Sequence, residues 1–149
     1  MFVLSKKSWD ILNTAKPELV AVVSKAIQIT KVDFGVIEGL RTVEKQREYF
    51  EAGASKTMNS KHITGDAVDL VAYIGSRPSW ELNLYDDIAD AIRQVAIDFN
   101  VSIRWGGAWN VPDIRMWQGN MEHAMNYYVD TCRREARRPF IDAPHFELS

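Results

Sequence analysis

Two short stretches hold residues that could do chemistry together. Residues 60–69 read SKHITGDAVD, with His62 and Asp69 seven positions apart, and residues 141–147 read IDAPHFE, with Asp142 and His145 three apart. Imidazole nitrogen and carboxylate oxygen are donor types that suit zinc. Seven positions is too long for one helical turn. His62 therefore belongs at a loop edge, with Asp69 on the strand that follows, folded back beside it. Gly65 permits the sharp turn between them. Asp69 sits among Ala67, Val68, Leu70 and Val71, where an ionised carboxylate is costly to bury unless it is paired or bound to a metal. His145 is the candidate third ligand. Three protein ligands with an open position make a catalytic zinc site, whereas a structural one normally has four. Pro144 argues against a helix interior, so Asp142 and His145 belong on a bend leading into a terminal strand. From there Asp142 can face the reacting water without ligating the metal, take its proton and pass one to a leaving amine. Taken singly, each residue has a plainer reading: a satisfied histidine, an arginine partner, a turn residue before proline. The combination is what points to a metallohydrolase.

The elements that must position these residues can be sketched from pattern. Ser5 or Ser8 can cap a short helix through Leu12. Pro17 and Glu18 suit the first turn of a second helix with Leu19, Val22, Val23, Ala26 and Ile27 on one side. VDFGVIEG (32–39) reads as a strand ending at Gly39. Thr42 can cap the helix VEKQREYFEAG, which stops at Gly53. A polar loop covers 54–61, and AVDLVAY (67–73) reads as a buried strand. Gly75–Pro78 is a turn or loop, 84–99 a helix with Ile88, Ile92, Val95 and Phe99 in register, and VSIRW (101–105) a strand broken by Gly106-Gly107. Residues 117–137 predict a further helix, and the tail PHFELS is extended. The sum is an α+β fold with a small, mainly antiparallel sheet and helices packed around it. Strand order does not follow from the pattern.

Composition removes several classes of function. The chain has 149 residues, 46% hydrophobic and 26% charged, the make-up of one ordinary globular domain. A net charge of −2 disfavours a nucleic-acid binder. A lone cysteine, Cys132, excludes an intrachain disulfide. The start, MFVLSKKSWD, lacks the order and length of a secretory signal, and no run approaches the roughly 18 apolar residues that span a bilayer. Synthesis in the cytoplasm without stable membrane insertion is expected. His123 lies beside Glu122 in the last predicted helix, at a structural or substrate-edge position. CRREARR (132–138) reads as a solvated basic helix end. Of Trp105, Trp109 and Trp117, Trp109 beside the glycine pair is the one expected to line a cleft.

The run from Ser60 to Asp69, with the later DAPH from Asp142 to His145, resembles the paired motif SxHxxGxAxD … [ED]xxH. That pattern belongs to the zinc D-alanyl-D-alanine carboxypeptidase and L-alanyl-D-glutamate endopeptidase family. GLRT at 39–42 and WGG at 105–107 also match in order, and the phage endolysin branch is the most similar. The resemblance covers roughly residues 30–75 and 100–148. It implies that His62, Asp69 and His145 hold one zinc per chain, that Asp142 is the general base and acid, and that Arg41 stabilises the oxyanion. It implies that Ser60 and Trp109 contact substrate, and that the zinc lies at the sheet of a hedgehog or D-Ala-D-Ala peptidase-like fold. The implied substrate is the peptidoglycan stem peptide, cut at L-Ala–D-Glu by a monomer that reaches the wall after release from the host cytoplasm. A D-Ala-D-Ala carboxypeptidase, or a non-catalytic zinc-binding or adhesion module, are the rivals. One zinc peptidase domain over 1–149, with no separate wall-binding domain, is expected. Two departures stand out: Ala108 replaces a residue that is often polar, and roughly 110–140 is inserted, where it could wall the cleft.

Overall fold

A computed structural model describes all of residues 1–149. Helix α1 (Lys6–Leu12) is capped by Ser5, whose Oγ accepts from Ser8 N at 3.1 Å. Helix α2 (Pro17–Ile29) starts on its proline and buries Leu19, Val22, Val23, Ala26 and Ile27, the side that its spacing predicts. Strand β1 (Asp33–Glu38) follows, then α3 (Val43–Glu51) with Thr42 as its cap. After a 3-10 turn at Lys61–Thr64 come β2 (Ala67–Ile74), β3 (Arg77–Ser79) and the long α4 (Leu82–Phe99). Strand β4 (Ile103–Trp105), a second 3-10 turn at Ile114–Met116, α5 (Met121–Arg134) and β5 (His145–Leu148) complete the chain.

Every strand pair is antiparallel, and the sheet runs β1-β2-β5-β4. Strand β1 takes one edge of β2; β5 and β3 share the other, at Ala67–Asp69 and Ala72–Ile74. Alternation sends Val68, Leu70 and Ala72 of β2, with Phe34, Val36, Ile103, Trp105 and Phe146, into one core. Helix α4 packs on α2, α5, β2 and β4 and closes that core. The opposite face of β2 and β5 carries Asp69, His145 and Glu147. Two-residue periodicity thus separates packing from chemistry on the same strands.

Three elements differ from the sequence reading. The turn near Gly75 is a hairpin whose return strand, β3, is held by Tyr85: its hydroxyl donates to Ser79 O at 2.8 Å and accepts from Ala72 N at 3.1 Å. The last helix starts at Met121 rather than 117. Gly119 has φ +123°, and Asn120 caps by accepting from His123 N at 2.9 Å. The stretch 110–140 does not wall the cleft along its length. It lies on α4, where Arg93 donates to Ile114 O (3.0 Å) and Trp117 O (2.6 Å) and Asp90 Oδ1 accepts from Met121 N (2.8 Å). Only Phe140 of that stretch reaches the cleft.

Candidate metal centre

Strand register brings the ligand candidates together. Asp69 on β2 stands opposite His145 on β5 and opposite Glu38 on β1. A bulge between Val36 and Glu38 shifts the β1 register and sets Glu38 in that row. His62 comes from the 3-10 turn that precedes β2. Ser60 starts this turn, its Oγ accepting from His62 N at 3.2 Å, and Gly65 ends it with φ +77°, a conformation that a Cβ would strain. Ser60 lines the cleft, but its hydroxyl already serves as the cap that orients His62.

Each histidine has one ring nitrogen fixed by the protein and the other aimed at Asp69. His62 Nδ1 donates to Gly39 O at 2.8 Å, which leaves Nε2 facing Asp69 Oδ1 at 3.2 Å. His145 Nε2 meets Glu147 Oε1 at 2.8 Å, and its Nδ1 faces the same Asp69 Oδ1 at 3.2 Å. The three donor atoms all lie within 4.8 Å of one another. Two ligands bonded at 2.0–2.1 Å to a tetrahedral zinc lie about 3.3 Å apart. The donor set, its spacing and the backing of each ring by a carbonyl or carboxylate therefore fit zinc.

The electrostatics agree. Burial pushes the Asp69 carboxyl up, but hydrogen bonds from His145 and His62 outweigh it and hold the group well below the usual carboxylate range. Burial pulls His145 down, yet Asp69 and Glu147 reverse this and push it up to about 9. A metal at Nδ1 would take the place of that proton.

The bend that carries Asp142 is fastened by the Trp-Gly-Gly segment. Gly106 N donates to His145 O (2.8 Å) and Gly106 O accepts from Asp142 N (2.9 Å). A Cβ on Gly106 would lie 2.1 Å from Asp142 O, so only glycine allows this approach. Trp105, fully buried, donates from Nε1 to Ala143 O at 2.7 Å. Asp142 is thereby held at the cleft wall. Its carboxyl is pushed up by burial and by the Asp69 charge, against the pull of His145, His62 and Arg41.

Arg41 enters after β1. Its Nε donates to Glu38 Oε1 (2.6 Å) and Nη1 to Gln46 Oε1 (2.5 Å), and Nη2 lies 3.7 Å from Asp69 Oδ2. Its guanidinium covers the Tyr49 ring at 4.6 Å. Two of the five N–H donors are engaged by hydrogen bonds, and the rest remain available. Trp109 stands with its ring 5.4 Å from that of His145. Its Nε1 is buried without a partner, so the cleft meets the ring rather than the N–H. All seven candidates, Arg41, Ser60, His62, Asp69, Trp109, Asp142 and His145, line one cleft of about 640 Å³.

Sequence reasoning missed Glu38, Gln46, Arg104 and Glu147, which line or support the same cleft. Glu147 was within reach of it: two residues after His145 on an extended tail, it must share that residue's face. Glu38 depends on a bulge and Gln46 on a helix without an apolar stripe, and neither leaves a signal in the pattern.

A family model described as phage L-alanyl-D-glutamate peptidase matches residues 1–149. An L-alanyl-D-glutamate peptidase of Escherichia phage T5 is 34% identical over 113 residues, 73% of this chain and 82% of that protein. A protein of the same description from Listeria phage A118 is 33% identical over 75 residues, 50% of this chain and 26% of its own length. Among solved structures, the Serratia marcescens L-Ala D-Glu endopeptidase ChiX superposes with a TM-score of 0.74. It is 32% identical, and the match covers 99% of this chain and 90% of that one.

Proposed function

The chain belongs to the phage L-alanyl-D-glutamate peptidase family, and from that premise we propose how its cleft cuts the L-Ala–D-Glu bond of the peptidoglycan stem in host lysis. The observation that carries the reading is the convergence of His62 Nε2, Asp69 Oδ1 and His145 Nδ1 beside an unpaired Asp142 and a held Arg41. His62, Asp69 and His145 would hold one zinc ion. Bound there, zinc supplies Lewis acidity at the scissile carbonyl and makes the attacking water more acidic.

The chain's own groups do the rest. Asp142 takes the water's proton as the carbonyl is attacked and delivers a proton to the departing D-Glu nitrogen. Arg41, fixed by Glu38, Gln46 and the Tyr49 ring, turns its free N–H donors to the developing oxyanion and needs no rearrangement at that moment. Glu147 keeps the His145 ring in the orientation that points Nδ1 inward. The ring of Trp109 forms an apolar wall against the stem peptide. The whole of 1–149 works as one peptidase domain, synthesised in the host cytoplasm and acting as a monomer on the wall after release. No helix is long and apolar enough to cross a membrane.

Digestion of purified peptidoglycan by zinc-loaded and metal-stripped protein, read by mass spectrometry of the new termini, tests the reading. Metal-dependent appearance of a D-Glu amino terminus is expected. Loss of terminal D-Ala alone would reassign the protein as a carboxypeptidase, and no cleavage by the zinc-loaded protein would leave a binding module.

A further inference from the structure

The bond assigned above places a negative charge close to the reaction. D-Glutamate gives its nitrogen to the scissile bond and has two carboxyl groups, of which the continuing stem consumes one. The other is free, as a carboxylate or, where the wall is amidated, as a neutral carboxamide. The cleft must receive this group next to its own acids, since Glu38, Asp69, Asp142 and Glu147 all line it.

Four cations line the same cleft: Arg41, Lys56, Lys61 and Arg104. Three already have hydrogen-bond partners in the protein. Arg41 is paired with Glu38. Lys61 Nζ donates to Leu148 O at 2.6 Å. Arg104 donates from Nε to Trp109 O at 2.7 Å, and also from Nη2, while its guanidinium lies 5.3 Å from the Trp109 ring centre. Lys56 makes no hydrogen bond or ion pair; its Nζ rests over the Phe140 ring at 5.6 Å.

An unpaired exposed lysine is ordinary, but the placing of this one is not. Its two neighbours are tied down by one side chain: Gln46 Nε2 donates to Ser55 Oγ (2.8 Å) and Thr57 O (2.5 Å). Gln46 is fully buried, the only buried residue of α3, and its Oε1 accepts from Arg41. The Phe140 platform is fixed as well. Its N donates to the Tyr128 hydroxyl (3.1 Å), which donates back to Phe140 O (3.3 Å). Phe140 precedes Asp142 by two residues, so the ring under Lys56 and the proposed proton carrier belong to one short segment of the same cleft wall.

We infer that Lys56 receives the free carboxylate of the D-glutamyl residue and makes the enzyme prefer stems that carry it over stems carboxamidated there. The inference rests on the L-Ala–D-Glu reading of the reaction. Two synthetic stem peptides, identical except for carboxylate or carboxamide at this position, test it with zinc-loaded full-length protein whose metal content is verified. The readout is the ratio of the two kcat/KM values. The wild-type protein should favour the carboxylate by about tenfold, the range of one charge-assisted contact. Lys56→Gln should bring the ratio close to one, and Lys56→Glu should invert it. Lys25→Gln, a charge loss on the exposed side of α2, should leave it unchanged. Added salt should shrink the wild-type preference. A wild-type ratio near one, or an equal preference in wild type and Lys56→Gln, overturns the role of Lys56. Cleavage of neither peptide by the zinc-loaded wild type overturns the reaction itself, and the inference falls with it.

Discussion

Asp142 differs from the other acids of the cleft in having no hydrogen bond to its carboxylate: Glu38 holds Arg41, Asp69 meets both histidines and Glu147 meets His145. A carboxylate left free at the cleft wall, with burial raising its proton affinity, is suited to moving protons rather than holding a structure. Asp142→Asn keeps the shape and removes the base. Turnover should fall by about 10²–10⁴-fold while one zinc per chain remains by elemental analysis; full activity would remove Asp142 from the mechanism. Glu147 makes the opposite case. It never faces substrate as a base, because its Oε1 is held by His145 Nε2 at 2.8 Å. Glu147→Gln should weaken zinc binding by about 10–100-fold in competition with a chelating dye. Unchanged affinity would show that the backing carboxylate does not tune the ligand.

At the scale of elements, the site depends on how closely the end of β4 approaches the bend before β5. Gly106→Ala sets a methyl against the Asp142 carbonyl, a backbone atom that cannot rotate away. The two hydrogen bonds that join Gly106 to the bend must lengthen or break. A loss of about 1–3 kcal/mol in urea unfolding, together with weaker zinc binding, is expected. Wild-type stability in this variant would mean that the bend can move freely. Elements with strong periodic signals were legible: the apolar side of α2, the buried run of β2 and the Thr42 cap all appear where the pattern puts them. The meeting of His62, Asp69 and His145 was legible because glycine, proline and acid constrain the chain around these candidate ligands. Strand β3 was not, since Arg77-Pro78-Ser79 has no alternation and its pairing is fixed by Tyr85 from another helix. The short tail did not disclose that β5 lies inside the sheet, between β2 and β4. Helix α3 shows the limit most clearly. Its single buried residue is a glutamine, and its job is to hold Arg41 and the Lys56 loop, which no hydrophobic pattern encodes.

For the molecule as a whole, the net charge of −2 conceals an uneven distribution. Asp86, Asp87 and Asp90 on α4 meet Glu122 from α5, where the helices pack. Asp90 is useful there, accepting from Met121 N at the start of α5. Asp86 has no such partner. Burial first, then the charges of Asp87, Glu122 and Asp90, push its carboxyl up to about 6. A folded-state value above the unfolded 3.8 means that the charged form opposes folding. The protonated group carries no such penalty, so this contribution to stability is fully present below about pH 3.8 and is lost as pH rises through about 6. Asp86→Asn removes the penalty. Screening at a partly exposed carboxylate keeps the gain to about 1 kcal/mol at pH 8, or about 2–4 °C in Tm. None of the four acids lines the cleft, so cleavage rates should not change. Thermal unfolding of both proteins from pH 4 to pH 8 checks the sign. The two curves should approach one another toward pH 4 and separate above about 6 with the Asn variant higher. A constant offset would show that Asp86 acts through packing rather than charge, and a lower Asn curve at pH 8 would show that its carboxylate stabilises the junction of α4 and α5.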